Sequence, residues 1–457
     1  MFFTQTNLQK RSKPGRHFAL ALALATGSVV AMSGMVADPV HAKKKKKKAK
    51  KEYSETFIAA YNPINEALNG DAPDINAVKA QIPGLIAASV SADERYVTGN
   101  TVYSVGGKAQ DKAMQLDGMK MMLDSGQVGA EQLGQYNFIT FQLARTLNRH
   151  SESRPYLQGA IDNGFTTADI NATTMRIEMA ETFFREDRFK EGLSNLSSAI
   201  DAQKASGQPV DEAWYKRGLS IGFNENVQPE VYNFLQSWIA AYPTQSNWRD
   251  AVNITRQLND YGMAETLDLM RLGFRKDTLQ DKVEFLDYVE AADPRRLPKE
   301  VQAVIQKGYS SGIVSRNDSY IAESLQTASG RISADRAELP ALERDARSAR
   351  AGLRTVMAAG DAFLSYGQAS KAEEFYTKAL SMGGADTGLV LTRLGIAQSD
   401  AGKQAEAIAT FNQVQGPRRA IAQLWSAYAS EKVVPAVAAA SAPSAPEVAS
   451  AAVANAN

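Results

Sequence analysis

The stretch VMAAGDAFLSYGQASKAEEFYTKALSMGG, Val356 to Gly384, decides the fold of this 457-residue chain. Its apolar and small residues recur every three or four positions, the period of a helix with one buried face. Gly360 and Phe363 lie on a first helix, Ala372, Tyr376 and Ala379 on a second, and Tyr366-Gly367-Gln368 between them reads as a turn. Small residues at 360 and 372 let the two backbones approach, while Phe363 and Tyr376 fill the space beside the crossing. The following stretch keeps these offsets with Leu391, Leu394, Gly395, Ala407 and Phe411, and Asp400-Ala401-Gly402 as the turn.

Working upstream, Ala180, Phe183, Gly192, Leu196 and Ala199 repeat the pattern around a turn at Arg185-Glu186-Asp187. Trp214 with Gly218, and Trp248 with Ala264, match first-helix and second-helix positions of two more copies. Met122 to Gly126 and Ala160 to Gly164 each read as the end of a second helix followed by a glycine stop. Strict alternation is short and rare, so the body reads as all-α. These residues resemble the tetratricopeptide repeat (TPR), a helical hairpin of about 34 residues with an aromatic, Leu-Gly, an aromatic, then Ala, an aromatic and Ala. The resemblance implies a right-handed superhelical solenoid whose concave groove takes peptides or protein surfaces. It also implies that helix-A residues between the consensus slots face that groove. On this basis Lys216, Arg217, Arg249, Asn253, Arg354, Met357, Asp361, Arg393 and Ser399 are groove candidates, while Phe183, Trp214, Phe363, Tyr376 and Phe411 are core.

The organisation expected is a signal peptide at 1–42, a poly-lysine arm at 43–51, and an N-terminal helical region with degenerate repeats at 52–165. TPR-like repeats follow at 166–275, an irregular helical segment at 276–354 broken at Pro294, Pro298 and Pro340, C-terminal repeats at 355–432, and a disordered Ala/Pro/Ser/Val tail at 433–457. Lys10, Arg11, Lys13 and Arg16 precede the mostly apolar run Phe18 to Val36, and Val40-His41-Ala42 fits a cleavage triplet, so the chain is expected to be exported to the periplasm or beyond and to begin at Lys43. The alternative is an uncleaved membrane anchor holding a cytoplasmic scaffold, which the lysines after the run favour. The net charge of +1 hides an asymmetry: eight lysines at 43–51 lead a body, 52–457, of 39 basic and 49 acidic residues. Such an arm suits an anionic membrane surface or a solvated leader, and the acidic body disfavours nucleic acid.

Chemistry is sparse. The chain has no cysteine and three histidines, His17, His41 and His150, which excludes disulfides, thiolate metal sites and a cysteine nucleophile. Gly106-Gly107-Lys108 lacks the first glycine and the Ser or Thr of a phosphate loop and reads as a hairpin turn. His150 reads as a surface turn residue. Met114, Met119, Met121 and Met122 could offer thioethers to Cu(I), but such a stripe more often fills a core. Glu323-Ser324 resembles the Glu-Ser pair of lytic transglycosylases without the Gly-Leu-Met-Gln that follows it there. The expectation is a non-catalytic adaptor for other envelope proteins, without metal or cofactor. The competing reading is an enzyme of lytic-transglycosylase type acting on cell-wall glycan.

Overall fold

A computed structural model describes residues 53–71 and 73–433. The expected signal peptide, lysine arm and all of the tail beyond residue 433 lie outside the described residues. Twenty α-helices and one 3-10 helix, Gly416–Arg418, make up the regular structure among the described residues. The first eight helices are α1 (Glu55–Asn69), α2 (Ile75–Ala88), α3 (Ala92–Lys108), α4 (Lys112–Asp124), α5 (Ala130–Thr146), α6 (His150–Asp162), α7 (Ala172–Phe184) and α8 (Phe189–Ala205). The middle holds α9 (Glu212–Asn224), α10 (Glu230–Ala241), α11 (Gln245–Gln257), α12 (Met263–Arg275), α13 (Lys282–Ala292), α14 (Pro298–Ser310) and α15 (Ser319–Arg347). The chain then runs through α16 (Leu353–Ser365), α17 (Ala369–Leu380), α18 (Thr387–Asp400), α19 (Gln404–Phe411) and α20 (Arg419–Val433).

Successive helices fold back on each other as hairpins, and one turn design recurs. Gln110, Asn148, Asp187, Asn226, Asp277, Gly367 and Gly402 all adopt positive φ just after a helix. The next N–H in each case reaches back five residues, as in Gln368 N to Phe363 O at 2.8 Å and Lys403 N to Gln398 O at 2.9 Å, the bond that closes a Schellman turn. Five of the seven positions hold Gln, Asn or Asp rather than Gly, residues whose short or flexible polar side chains tolerate this region better than β-branched ones do.

This turn also exposes a change of register. Trp248 and Ala264 were expected to belong to one hairpin, but the connection between α11 and α12 has no positive-φ residue, whereas Asp277 places one between α12 and α13. α12 packs more closely on α13 than on α11. α11 is therefore an extra helix in the series, and hairpin pairing resumes as α12/α13, α14/α15, α16/α17 and α18/α19. Residues 276–354 contain α13, α14 and the 29-residue α15. Pro298 starts α14, where a missing N–H costs nothing, and Pro340 sits on the exposed side of α15 without ending it.

Within hairpins, glycine sets the closest approach. A Cβ on Gly360 would stand 2.6 Å from the Tyr376 ring, and one on Gly395 2.4 Å from Phe411. The same relation joins Gly218 to Phe234, so an aromatic sixteen residues on packs against the helix-A glycine three times over. Gly360→Ala should cost about 1–3 kcal/mol by overpacking, read as a lower denaturant midpoint. Phe363, Tyr376 and Phe411 are core as expected, whereas Phe183 and Trp214 are only half-buried and Phe184 takes the slot facing Gly192.

The hairpins before α7 have small separate cores, and from α7 onward one continuous core runs to α20. At the N-terminal end, the buried Glu94 ties α1 to α3. Its carboxylate accepts from Ser54 N at 2.7 Å, Val90 N at 2.9 Å and Ser91 N at 2.8 Å. The backbone N–H of Ser91, then that of Ser54, hold its pKa down to about 2 from 4.5 against the upward push of burial. A folded pKa below the unfolded one contributes stability that is complete above about pH 4.5 and is lost as the pH falls towards 2. In Glu94→Gln, acid titration over that window should therefore show a weaker loss of the first hairpin than in the wild type, followed by exchange of α1 amides.

Candidate functional site

The polar side chains of the hairpins are largely spent on one another. Oppositely charged residues about one repeat apart bond across neighbouring hairpins: Lys79 to Asp111 at 2.9 Å, Lys120 to Glu152 at 2.5 Å, Arg145 to Glu178 at 2.5 Å and Lys403 to Glu373 at 3.0 Å. Glu374 likewise binds Arg347 through two 2.8 Å bonds, with both side chains about half exposed.

The nine groove candidates divide along the same line. Arg217 grips Glu181 with two bonds of 2.8 Å, and Arg249 reaches Asp281 at 3.1 Å and Glu284 at 3.4 Å. Lys216 is exposed, pairs with Glu212 at 3.1 Å and lies over the Trp238 ring. Arg354 is exposed, Asn253 is half-buried, and Met357 is half-buried against the core. Arg393 and Ser399, expected on an open surface, are buried at 3% and 2% exposure. Ser399 donates to Gln404 at 3.0 Å. Arg393 holds Asp361 through bonds of 2.7 and 2.8 Å, and Tyr376 donates to the same carboxylate at 2.7 Å. Of the nine, only Asp361 and Arg393 meet.

They meet in a buried ionic cluster that sequence reasoning missed. Asp268 of α12, fully buried, receives Arg271 Nη1 at 3.0 Å, Arg393 Nε at 3.2 Å and Arg418 Nη1 at 2.7 Å. Trp425 Nε1 donates to its carbonyl at 2.9 Å, and Glu300 binds Arg271 through two bonds of 2.8 Å. Burial pushes the Asp268 carboxyl up, but Arg393, Arg271 and Arg418 outweigh it and hold the pKa below the usual value. The sign matters: this side chain is an anion inside the protein, and it neutralises guanidinium groups brought from 125 and 150 residues away.

Around this cluster the C-terminal hairpins return to the middle of the chain. Arg275 binds Asp400 at 2.5 Å, Lys276 binds Glu431 at 2.7 Å, Trp248 Nε1 donates to Glu431 at 2.7 Å, and Gln423 donates to Asn233 at 3.0 Å. α18 and α20 thus cover parts of α10, α11 and α12. The spacing of about 32 residues between strut partners was legible in principle as opposite charges one repeat apart. No local signal connects Asp268 with Arg393 or Arg418.

The remaining candidates sit in separate surroundings and do not converge on a site. Gly106-Gly107-Lys108 is the last turn of α3, with Gly106 against the Gln115 backbone, not a loop. His150 is not a surface residue: it is buried at the start of α6, and desolvation followed by the charge of Arg185 lowers its pKa. Met119 and Met122 pack in one core, Met114 and Met121 against another. Glu323 is exposed on α15 while Ser324 is buried, so the pair does not face a common space. Among the described residues no group of His, Cys, Asp or Glu is arranged to hold a metal ion, and no helix is long and apolar enough to cross a membrane.

Comparison with known proteins adds little to this geometry. No family model matches the chain. No curated protein matches it either. Among solved structures it is similar to the crystal structure of the P58(IPK) TPR domain, at 10% identity over 82% of this chain and 98% of that one, with a TM-score of 0.18. A superposition that loose carries no argument, so the likeness to tetratricopeptide hairpins stands on the recurring turn and the glycine–aromatic contacts within this chain.

Proposed function

We propose that the chain is an exported, non-catalytic scaffold of the bacterial envelope that binds segments of other envelope proteins along its stacked helices. One observation carries this reading: the described chain is a series of helical hairpins, interrupted only by the extra helix α11 and braced by ion pairs one repeat apart, an architecture that offers an extended surface rather than a convergent pocket. With α10 to α12 partly covered by the chain's own C-terminal helices, the partner surface is assigned to the first helices of the preceding hairpins, α3, α5, α7 and α9. Lys216 and Arg217 stand at its end. The lysines at 43–51 hold the exported chain close to anionic headgroups, each contributing about 1 kcal/mol near such a surface.

Crosslinking in intact native cells, affinity recovery and mass spectrometry test this together with the mature N-terminus. The expected result is one stoichiometric envelope partner linked to Lys216 or to lysines of α3 to α9, and a chain starting at Lys43. A double variant, Lys216→Glu with Arg217→Glu, should reduce its recovery without changing helicity. Scattered weak neighbours, or release of soluble muropeptides that Glu323→Gln abolishes, would overturn the scaffold reading. An intact Met1 in envelope fractions would overturn export.

A further inference from the structure

The middle of the long α15 is exposed, its contacts there coming from single side chains: Tyr366 donates to Ile332 O at 3.4 Å and lies under Arg336, and Gln302 donates to Ser329 at 3.4 Å. Its buried residues are Ile321, Ser324 and Ala328 near one end and Leu339 and Ala346 near the other, and none of the residues from 329 to 338 is buried. Beyond it, α16 to α20 form a continuous stack that returns to α10, α11 and α12. The returning contact is unusually ionic for a core. From α18 and the 3-10 helix, Arg393 and Arg418 converge on Asp268, which already serves Arg271. Further charged or polar bonds, Arg275 to Asp400, Lys276 and Trp248 to Glu431, and Gln423 to Asn233, surround them. Arg393 Nη2 and Arg418 Nε are buried without a hydrogen-bond partner, so the two incoming guanidinium groups carry more donors than the carboxylates at hand accept.

Buried charges of this kind contribute little net attraction when paired and cost much when a partner is lost. Here they lie within an apolar interface that also holds Leu272, Ile421, Leu424 and Trp425, so loss of one partner charge weakens the whole contact.

We propose that α16 to α20 form a jaw hinged on the exposed middle of α15 and latched by the Asp268 carboxylate, so that the covered faces of α10, α11 and α12 become accessible together when the latch opens. The latch is independent of the partner's identity and stands or falls apart from the scaffold reading.

Solution scattering and far-ultraviolet circular dichroism on the full chain test it. Asp268→Asn should increase the radius of gyration while helicity stays at the wild-type level. Arg418→Gln, which leaves Asp268 two arginines, should give the same change to a smaller extent. Joining Lys276 to Glu431 by a carbodiimide before measurement should hold Arg418→Gln at the wild-type radius. An unchanged radius in both variants would overturn the latch. A radius that grows only in step with lost helicity, in Arg418→Gln as well as Asp268→Asn, would also overturn it, because Asp268 would then be ordinary core.

Discussion

Replacing Asp268 by Asn is expected to weaken the docking of the C-terminal helices by about 3–5 kcal/mol. The side chain keeps its size, so no cavity forms. What changes is charge: Arg271, Arg393 and Arg418 lose the anion they share. Glu300 still neutralises Arg271 and Asp361 still binds Arg393, whereas Arg418 keeps only Glu265 at 3.0 Å. Thermal unfolding should develop an early transition for α16 to α20 ahead of the remaining helices, as a repeat array permits when one interface weakens. A single transition at the wild-type temperature would show that the cluster contributes nothing to the closure.

Trp425→Ala should cost a similar amount by a different route, about 3–5 kcal/mol from lost packing and the cavity left behind. The indole is fully buried, with ring centroids 6.2 Å from Phe411 and 5.5 Å from Tyr428, and Arg275 lies over it at 5.1 Å. Its N–H also donates to the Asp268 carbonyl inside α12, and truncation removes that second bond as well. Because Trp425 and Asp268 are in direct contact, the double variant should lose less than the sum of the two single losses. Additive losses would place the two residues in separate interfaces. Urea denaturation of the four proteins measures the difference.

The all-α hairpin fold was legible because its determinants are local. Gly360 and Tyr376, or Gly395 and Phe411, lie within one hairpin, and small and aromatic residues at fixed offsets are visible without knowing what lies elsewhere. The glycine stops at Gly126 and Gly164 were readable for the same reason, and both take positive φ. The turn at Asp187 was readable from its place in the repeat, whereas those at Asn148, Asn226 and Asp277 were harder, since left-handed backbone there is taken by Asn or Asp rather than Gly. The spacing of Trp214 and Trp248 suggested a regular repeat where α11 in fact interrupts the series. Spacing cannot distinguish a first helix from an inserted one when both carry a tryptophan.

The candidate surface was less legible. Consensus offsets say which side of a helix a residue occupies, but not what covers that side. Arg393 and Ser399 lie on the face where a tetratricopeptide groove is expected, and both are buried, Arg393 against Asp361 and the distant Asp268, Ser399 against its neighbour Gln404. Their partners lie up to 125 residues away, beyond the reach of any periodicity. His150 was misread on similar grounds: the sequence shows a polar turn, whereas the fold buries the side chain at the start of α6, close to the charges of Arg185 and Glu186.

The closure of the C-terminal helices on the middle of the chain is tested most directly by zero-length carbodiimide crosslinking of the native protein. Lys276 Nζ and Glu431 Oε2 stand 2.7 Å apart across 155 residues of sequence. Mass spectrometry of the digested product should find an amide between these two side chains, formed within one chain and lost after denaturation. Lys276 joined only to carboxylates of α12 and α13, with Glu431 unmodified or linked between chains, would contradict the closure and with it the burial of Arg393, Arg418 and Trp425.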